Sequence, residues 1–319
     1  MQSNSLTIKL PIPPELYGQR LDVALANMLP EYSRSQLSHW LKEGYITVNG
    51  VAHKPKDKIR GKGIVTITLP ENLPHNEQLL PEAIPLEIIF EDDHLLIINK
   101  PAGLVVHPGA GNPGHTLVNA LLHHDPSLQQ LPRAGIIHRL DKDTTGLLMA
   151  GKTLKAYNTL IRQMRAREIK RHYLALVEGQ LISGGILETL YGRHPRNRLK
   201  MAVRNQGREA VTEYQIVKKY HDFTLLEVIL HTGRTHQIRV HMAHINHPIV
   251  GDPLYGGKLR IPKSAAADLA QALSNFKRQA LHAYMLTFCH PYTAKMISVK
   301  AELPKDFTSL LEILDKSEE

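Results

Sequence analysis

Apolar positions along the chain group into short runs and helical repeats separated by clear stop signals. Leu21, Ala24, Leu25 and Met28 recur at helical spacing and predict a first helix with one apolar face, ended by Pro30. Ser33 followed by Gln36 has the form of a capping box, so the pattern predicts a second helix running to about Glu43, with Gly44 as its C-terminal cap. Two β-prone runs then flank Asn49-Gly50, a strong hairpin signal. Pro70, Pro74, Pro81 and Pro85, with Asn, Glu and Gln between them, make a poor core and predict a linker that leaves its two neighbours free to move.

Beyond the linker, Leu86–Phe90 and Leu95–Asn99 are apolar runs parted by four polar residues, the pattern of a hairpin, closed by Lys100-Pro-Ala-Gly103. Thr116 is placed to cap a helix bearing Leu117, Ala120 and Leu121. Leu154, Tyr157, Leu160, Ile161 and Met164 predict another helix, and Lys170–Gly179 a strand. Further hairpin-like pairs occupy 210–230 and 283–302. Strands outnumber helices and βαβ units are few, which predicts an α+β fold with a mixed, largely antiparallel sheet, preceded by a small module of helices and a hairpin. The expected divisions are an N-terminal extension at 1–17, the small module at 18–68, the linker at 69–85, a large domain at 86–305 and a C-terminal tail at 306–319. Within that tail, Phe307–Leu314 reads as one amphipathic helix.

Composition narrows the class. The 319 residues, 42% hydrophobic and 22% charged, are those of an ordinary globular protein. An excess of 39 Lys and Arg over 30 Asp and Glu, net +9, favours a polyanionic partner. Cys289 is the single cysteine, so an intrachain disulfide and a thiolate metal cage are both excluded. No charged-then-apolar leader follows Met1 and no apolar run approaches twenty residues, which predicts a cytoplasmic protein without a membrane span.

The candidate chemistry centres on Gly135–Met149. Ile136-Ile137 and Leu147-Leu148-Met149 read as buried strand, and between them stand His138, Arg139, Asp141, Lys142, Asp143, Thr144, Thr145 and Gly146. Local physics leaves two readings open, a polar surface turn or a rigidly mounted site. Basic residues gather in three other places. In the small module Arg34 and Lys42 lie on the second helix, and Lys54, Lys56, Lys58, Arg60 and Lys62 follow the hairpin. His194–Lys200, with Arg196, Arg198 and Lys200, flanked by Arg193 and Arg204, has the composition of a phosphate-binding loop, though a plain solvated loop would look alike. Thr232–His241 reads as a strand-to-helix junction whose buried face is Ile238, Met242 and Ile245, leaving Arg239 and the histidines to project elsewhere.

Several chemistries fail on their residues. His236, His241, His244 and His247 lack both the spacing and the acidic ligands of a zinc helix, so no metal is expected. The zinc-deaminase signature needs cysteines this chain lacks. There is no Walker lysine loop and no serine nucleophile elbow, so no nucleotide cofactor is expected either. What is left is an aspartate accompanied by arginines. An aspartate acts as a nucleophile only when ionised, and a nearby arginine keeps it so and holds its rotamer. A lone Asp–Arg pair is also an ordinary salt bridge.

Two resemblances add to this reading. Arg-Leu-Asp at 20–22, Ser-Arg-Ser at 33–35 and Gly-Tyr-Ile-Thr-Val-Asn-Gly at 44–50 resemble the S4 RNA-binding domain over about residues 18–68. His138-Arg139-Leu-Asp141 with Asp143-Thr-Thr-Gly146, then Tyr173-Leu-Ala-Leu-Val, then Gly233-Arg-Thr-His-Gln-Ile-Arg239-Val-His241, resemble the motif series of the RluA-type pseudouridine synthases. The match spans about residues 18–305 in order. It lies closest to members that carry an S4 domain and act on large-subunit ribosomal RNA, of which two types share these motifs. The resemblance implies a cofactor-free RNA pseudouridine synthase with Asp141 as the catalytic aspartate and Arg239 as its partner. Tyr173 would lie against the flipped base, and Arg139 would fill the gap left in the RNA. The implied partner is large-subunit ribosomal RNA or the assembling subunit, bound by a monomer. A non-catalytic ribosome-assembly factor and an RNA N-glycosidase are the competing classes; the latter would need a second carboxylate, for which Asp143 is the nearest in sequence.

Overall fold

Residues 6–29, 34–69, 79–109, 111–257, 261 and 266–318 are described by a computed structural model, in which the chain divides into two compact units, Met1–Leu80 and Pro81–Glu319. The first unit holds β1 (Leu6–Pro11), α1 (Leu21–Met28), α2 (Arg34–Lys42), β2 (Ile46–Val48), β3 (Val51–Ala52) and β4 (Ile64–Leu69). The strands pair in the order β1-β4-β2-β3. Leu21, Ala24, Leu25, Leu37, Trp40 and Leu41 from the helices meet Ile46, Val65 and Ile67 from the sheet in one apolar core. At the hairpin Asn49 and Gly50 have φ of 52° and 79°, the two left-handed residues that a tight turn between twisted strands requires. The capping box expected at Ser33 lies outside the described residues.

One boundary differs from the sequence reading. The residues expected as an N-terminal extension supply β1, which pairs antiparallel with β4 along its whole length, and Ile12 and Leu16 sit in the core. The alternation Leu6-x-Ile8-x-Leu10-x-Ile12 carries the period of a half-buried strand, and β4 is its long-range partner. The basic run Lys54–Lys62 that follows the hairpin has a definite place in this unit. It is an irregular segment whose backbone binds the start of α1, through Leu21 N to Asp57 O (2.7 Å) and Asp22 N to Pro55 O (3.0 Å).

The second unit contains β5 (Glu87–Glu91), β6 (Leu95–Lys100), α3 (Leu117–His124), β7 (Thr145–Gly151), α4 (Leu154–Arg165), β8 (Lys170–Glu178), β9 (Gly185–Arg193), β10 (Met201–Val203), β11 (Arg208–Lys219), β12 (Phe223–Leu230), α5 (Gln237–His244), α6 (Ala267–Asn275), β13 (Leu281–Cys289), β14 (Met296–Lys300) and α7 (Lys305–Lys316). One sheet runs β10-β9-β11-β12-β8-β13-β7-β6-β5, with β14 on β13. Among the described residues every pairing in it is antiparallel except β13 with β7. It is the mixed, largely antiparallel sheet the pattern predicts.

Leu95–Ile98 of β6 and Leu147–Ala150 of β7 are unbroken apolar runs because both their faces are covered. Leu96, Ile98, Leu148 and Ala150 enter the main core, while Leu95, Ile97, Leu147 and Met149 pack with Leu160 of α4 and Phe288 of β13. α7 belongs to the same body. Phe307, Leu310 and Leu314 are buried in the main core, so the expected tail is a core helix. Likewise Glu82, expected in the linker, is bound into the second unit through its backbone N–H to Asn119 O (3.0 Å).

Candidate active site

The loop from Gly135 to Thr145 is held against β7 by backbone geometry. Arg133, Ala134 and Gly135 all have positive φ, and this left-handed run stops Ile136 and Ile137 from extending into the strand the sequence suggests. Their backbone meets β7 at a bridge between Ile136 and Ala150 and a bond from Ile137 N to Met149 O (3.1 Å). At the far end Gly146 has φ +109°, and a Cβ there would lie 2.3 Å from Ala283 O, so only glycine allows β7 to approach β13. His138 pins the loop again: its Nε2 accepts the Met149 N–H at 3.3 Å. Burial, aided by the charge of Arg171, pushes this imidazole down to about 3, and it remains neutral.

A second clamp was not legible in the sequence. Lys100, fully buried at the end of β6, donates to the carbonyls of Pro101 (2.8 Å), Leu104 (2.9 Å) and Lys142 (2.8 Å). Burial pulls its amine down to about 7, against the charges of Asp143 and Asp141. Three carbonyl acceptors match the three protons of an ammonium, which favours the charged form. The only signal was a lysine terminating an otherwise apolar strand.

These clamps set Asp141 on the wall of a cavity of about 410 Å³, lined also by His107, Arg139, His236, Arg239 and Gln279. That volume is within the roughly 300–1,000 Å³ of small-ligand sites. Arg239, 98 positions away on α5, donates from Nη1 to Asp141 Oδ2 at 3.0 Å. Oδ1 has His236 Nε2 at 3.9 Å and takes no bond from Arg239. Behind Arg239 stands Asp252, which accepts from Nε (2.7 Å) and Nη2 (2.9 Å). Burial alone would lower the Arg239 pKa, but the bonds and charges of Asp252 and Asp141 outweigh it and hold the guanidinium above its ordinary value.

α5 departs from the amphipathic reading. Gln237 to Met242 are all buried and exposure returns only at the C-terminal end, at His244, so the helix has no solvent face along most of its length. His241 is held between Thr212 Oγ1 (2.8 Å) and Thr189 Oγ1 (2.9 Å), and His247 by Glu178 O (2.8 Å). His236 has φ +60° and reaches Tyr255 OH at 2.9 Å. Burial lowers its pKa, with Asp141 opposing.

Tyr173 lies on β8, 4% exposed, and contributes no surface to the cavity. Burial raises its hydroxyl pKa; Arg171 opposes and Asp141 reinforces, so it is a neutral phenol at ordinary pH. Arg139 is exposed at the cavity wall. Arg196 and Arg198 are exposed in the turn between β9 and β10. That turn is docked on Tyr255: Lys200 Nζ lies 5.7 Å from its ring centroid and the Met201 N–H donates to its hydroxyl at 2.8 Å.

In the first unit, Asp22 is 4% exposed and accepts from Arg20 Nη2 (3.0 Å) and Arg34 Nη2 (2.7 Å), while both arginine side chains stay about half exposed. Lys42, Lys54 and Lys56 are exposed. The segment bearing Lys54 and Lys56 is the one bonded to the start of α1, beside Arg20.

Comparison with known proteins agrees with both halves of this picture. Residues 94–244 match the RNA pseudouridylate synthase family and residues 19–65 the S4 domain. The chain is 51% identical over 303 residues to ribosomal large subunit pseudouridine synthase D of Xanthomonas campestris pv. campestris, covering 95% of this chain and 91% of the relative. It is 48% identical over 298 residues to the protein of that name from Escherichia coli, covering 93% and 91%. Among solved structures, human RNA pseudouridylate synthase domain containing 4 superposes with a TM-score of 0.56 at 25% identity, covering 72% of this chain and 93% of that one. The chain therefore belongs to the RluA-type RNA pseudouridine synthase family, in the form that carries an S4 domain.

Proposed function

We propose that the protein converts uridines of large-subunit ribosomal RNA to pseudouridine, with Asp141 as the catalytic carboxylate and no cofactor. The observation that carries this reading is the Arg239–Asp141 bond at the cavity wall, joining two motifs from distant parts of the chain. The relatives named above act, by their names, on the large ribosomal subunit, and the D-type specificity they share is the one assigned here. The C-type enzyme, with the same domain and motifs, is the alternative for the choice of uridine.

The reaction is an isomerisation. The N1–C1′ bond breaks, the base turns, C5 bonds to C1′, and the C5 proton leaves as N1 gains one, so no electron or group is exchanged with a second substrate. Asp141 lines the cavity with one oxygen held by Arg239 and the other left out of that bond, which suits it to act at the sugar–base junction. A uridine reaches such a recess only by leaving its stack, and Arg139 at the wall is the group assigned to the space it vacates. Tyr173 is assigned to the flipped base and its C5 proton as a neutral phenol, although it contributes no surface to the cavity as it stands. Arg34, Lys42, Lys54, Lys56, Arg196, Arg198 and Lys200 are assigned to phosphates. We assign 18–68 as the S4 module and the monomer in the cytoplasm as the working form; no helix among the described residues is long and apolar enough to cross a membrane.

The test is to incubate the protein with large-subunit RNA, digest, and look for the mass-silent uridine isomer by chromatographic shift and carbodiimide adduct. Pseudouridine is expected. Free uracil would replace this reading with an N-glycosidase, and unchanged RNA with a binding factor.

A further inference from the structure

We propose that Asp252 is a positioning residue for this reaction: it aims Arg239 at Asp141 and keeps that arginine from neutralising the catalytic carboxylate. The inference rests on the assignment of Asp141 made above.

Asp252 cannot meet substrate. Its side chain is fully buried and both oxygens are filled, Oδ2 by Arg239 Nε and Oδ1 by Arg239 Nη2 together with the backbone N–H groups of Leu254 (2.8 Å) and Tyr255 (3.0 Å). The turn that bears it is itself fixed. Gly251 has φ +74°, and a Cβ there would stand 2.3 Å from Arg278 O, so the chain reaches this position only through glycine. The Tyr255 ring, set by the same turn, lies with its centroid 5.2 Å from the guanidinium carbon.

A guanidinium is a planar fork with five donors and prefers to grip a carboxylate by two parallel bonds. Left with Asp141 alone, Arg239 could take both its oxygens in that grip. Because Asp252 already occupies the Nε–Nη2 edge, Nη1 is the donor that reaches Asp141, through one bond to Oδ2, and Oδ1 of this cavity-lining carboxylate is left out of the grip. The charge count agrees. Two carboxylates share one guanidinium, so the group of three keeps a net negative charge that resides on the member facing the cavity. Burial by itself would raise the Asp252 carboxyl, but Arg239 and the two backbone N–H groups hold it below its ordinary range, so it remains ionised as this role requires.

The test uses the full chain, a large-subunit RNA transcript and single-turnover conditions, with RNA affinity and thermal midpoint measured in parallel. Asp252→Asn is expected to slow the chemical step roughly 100-fold, the scale of an ångström-level misplacement, with RNA affinity within about twofold. In an Arg239→Gln background the same change should cost no further rate, because the two residues act as one unit. It should also raise the midpoint, since it removes a buried charge left without its counter-charge. Asp252→Glu, which keeps the charge and displaces it by one methylene, should slow the step about tenfold and keeps the test open if the asparagine variant does not fold. A single-turnover rate within threefold of wild type in either variant, or an equal loss in the Arg239→Gln background, would overturn the proposal. Wild-type turnover by Asp141→Asn would instead remove the site assignment on which it rests.

Discussion

The two units each bury an aspartate among arginines, and they use it in opposite senses. In the small unit one carboxylate, Asp22, holds two arginines whose side chains are 51% and 52% exposed. In the large unit two carboxylates, Asp141 and Asp252, hold one arginine that is 7% exposed. The first cluster carries one net positive charge and turns it to solvent, which suits the phosphate-binding role proposed for Arg34. The second carries one net negative charge and turns it into a cavity. Salt-bridge counting alone would class them together, yet the first suits the binding surface proposed above and the second the catalytic carboxylate proposed above. The stoichiometry and the direction of burial decide which.

This contrast can be broken first at its catalytic end. Asp141→Asn keeps the shape and removes the charge, so isomerisation should fall roughly a thousandfold or more while RNA affinity stays within a few-fold, measured by product assay and filter binding. Retained turnover would leave the large-unit cluster a structural salt bridge. The next effect concerns the frame of that cluster. Gly146→Ala should destabilise the large unit by roughly 3 kcal/mol, since both the φ of +109° and the 2.3 Å approach to Ala283 O forbid a Cβ. Chemical unfolding followed by circular dichroism should show the loss. Trp40, the one tryptophan and a core residue of the small unit, should report an unchanged transition by fluorescence.

At the binding end the expected effect is smaller and of the other kind. Arg34→Ala should weaken RNA binding a few-fold and lower the salt slope of affinity by about one, with the single-turnover rate at saturating protein unchanged. A slower chemical step would show that the clusters are not separable in role.

Acid should divide the units most gently. Burial pulls His241 and His282 from 6.5 to about 4. Their folded-state values lie below the unfolded one, so the unfolded chain binds more protons between the two. The contribution of these two histidines to large-unit stability is therefore full above about pH 6.5 and is lost as pH falls toward about 4. In the small unit burial would raise Asp22, but its arginines prevail and its carboxyl lies below the ordinary value of 3.8, so its contribution is lost only at lower pH. Melting followed by circular dichroism should move down between pH 6.5 and 5 while the Trp40 transition holds. Parallel shifts would put the acid sensitivity elsewhere.

Much of the fold was legible from local pattern. The β5–β6 hairpin, α3 with its Thr116 cap, α4, and the Asn49-Gly50 turn each carry their signal within about a dozen residues, where spacing and turn chemistry act. β1 was missed although its alternation is plain, because a strand at the chain start gains meaning only from β4, more than fifty residues on. Ile136-Ile137 was misread for the converse reason. Their apolar character comes from burial beside β7, and three preceding left-handed residues, two of them not glycine, cancel the strand.

The site divides in the same way. Asp141, Arg139, Tyr173 and Arg239 stand in motifs, so the sequence by itself determined the family and its basic S4 module and singled out these four as the candidates for its chemistry. Lys100, Asp252 and Tyr255 belong to the site through space alone. Tertiary structure decided that Arg239 gives Asp141 a single N–H and turns its other edge to Asp252. A guanidinium can face its donors in several directions. Which edge meets which carboxylate depends on the Gly251–Tyr255 turn and on the glycine-only approach of β7 to β13, and both bring together residues far apart in the chain.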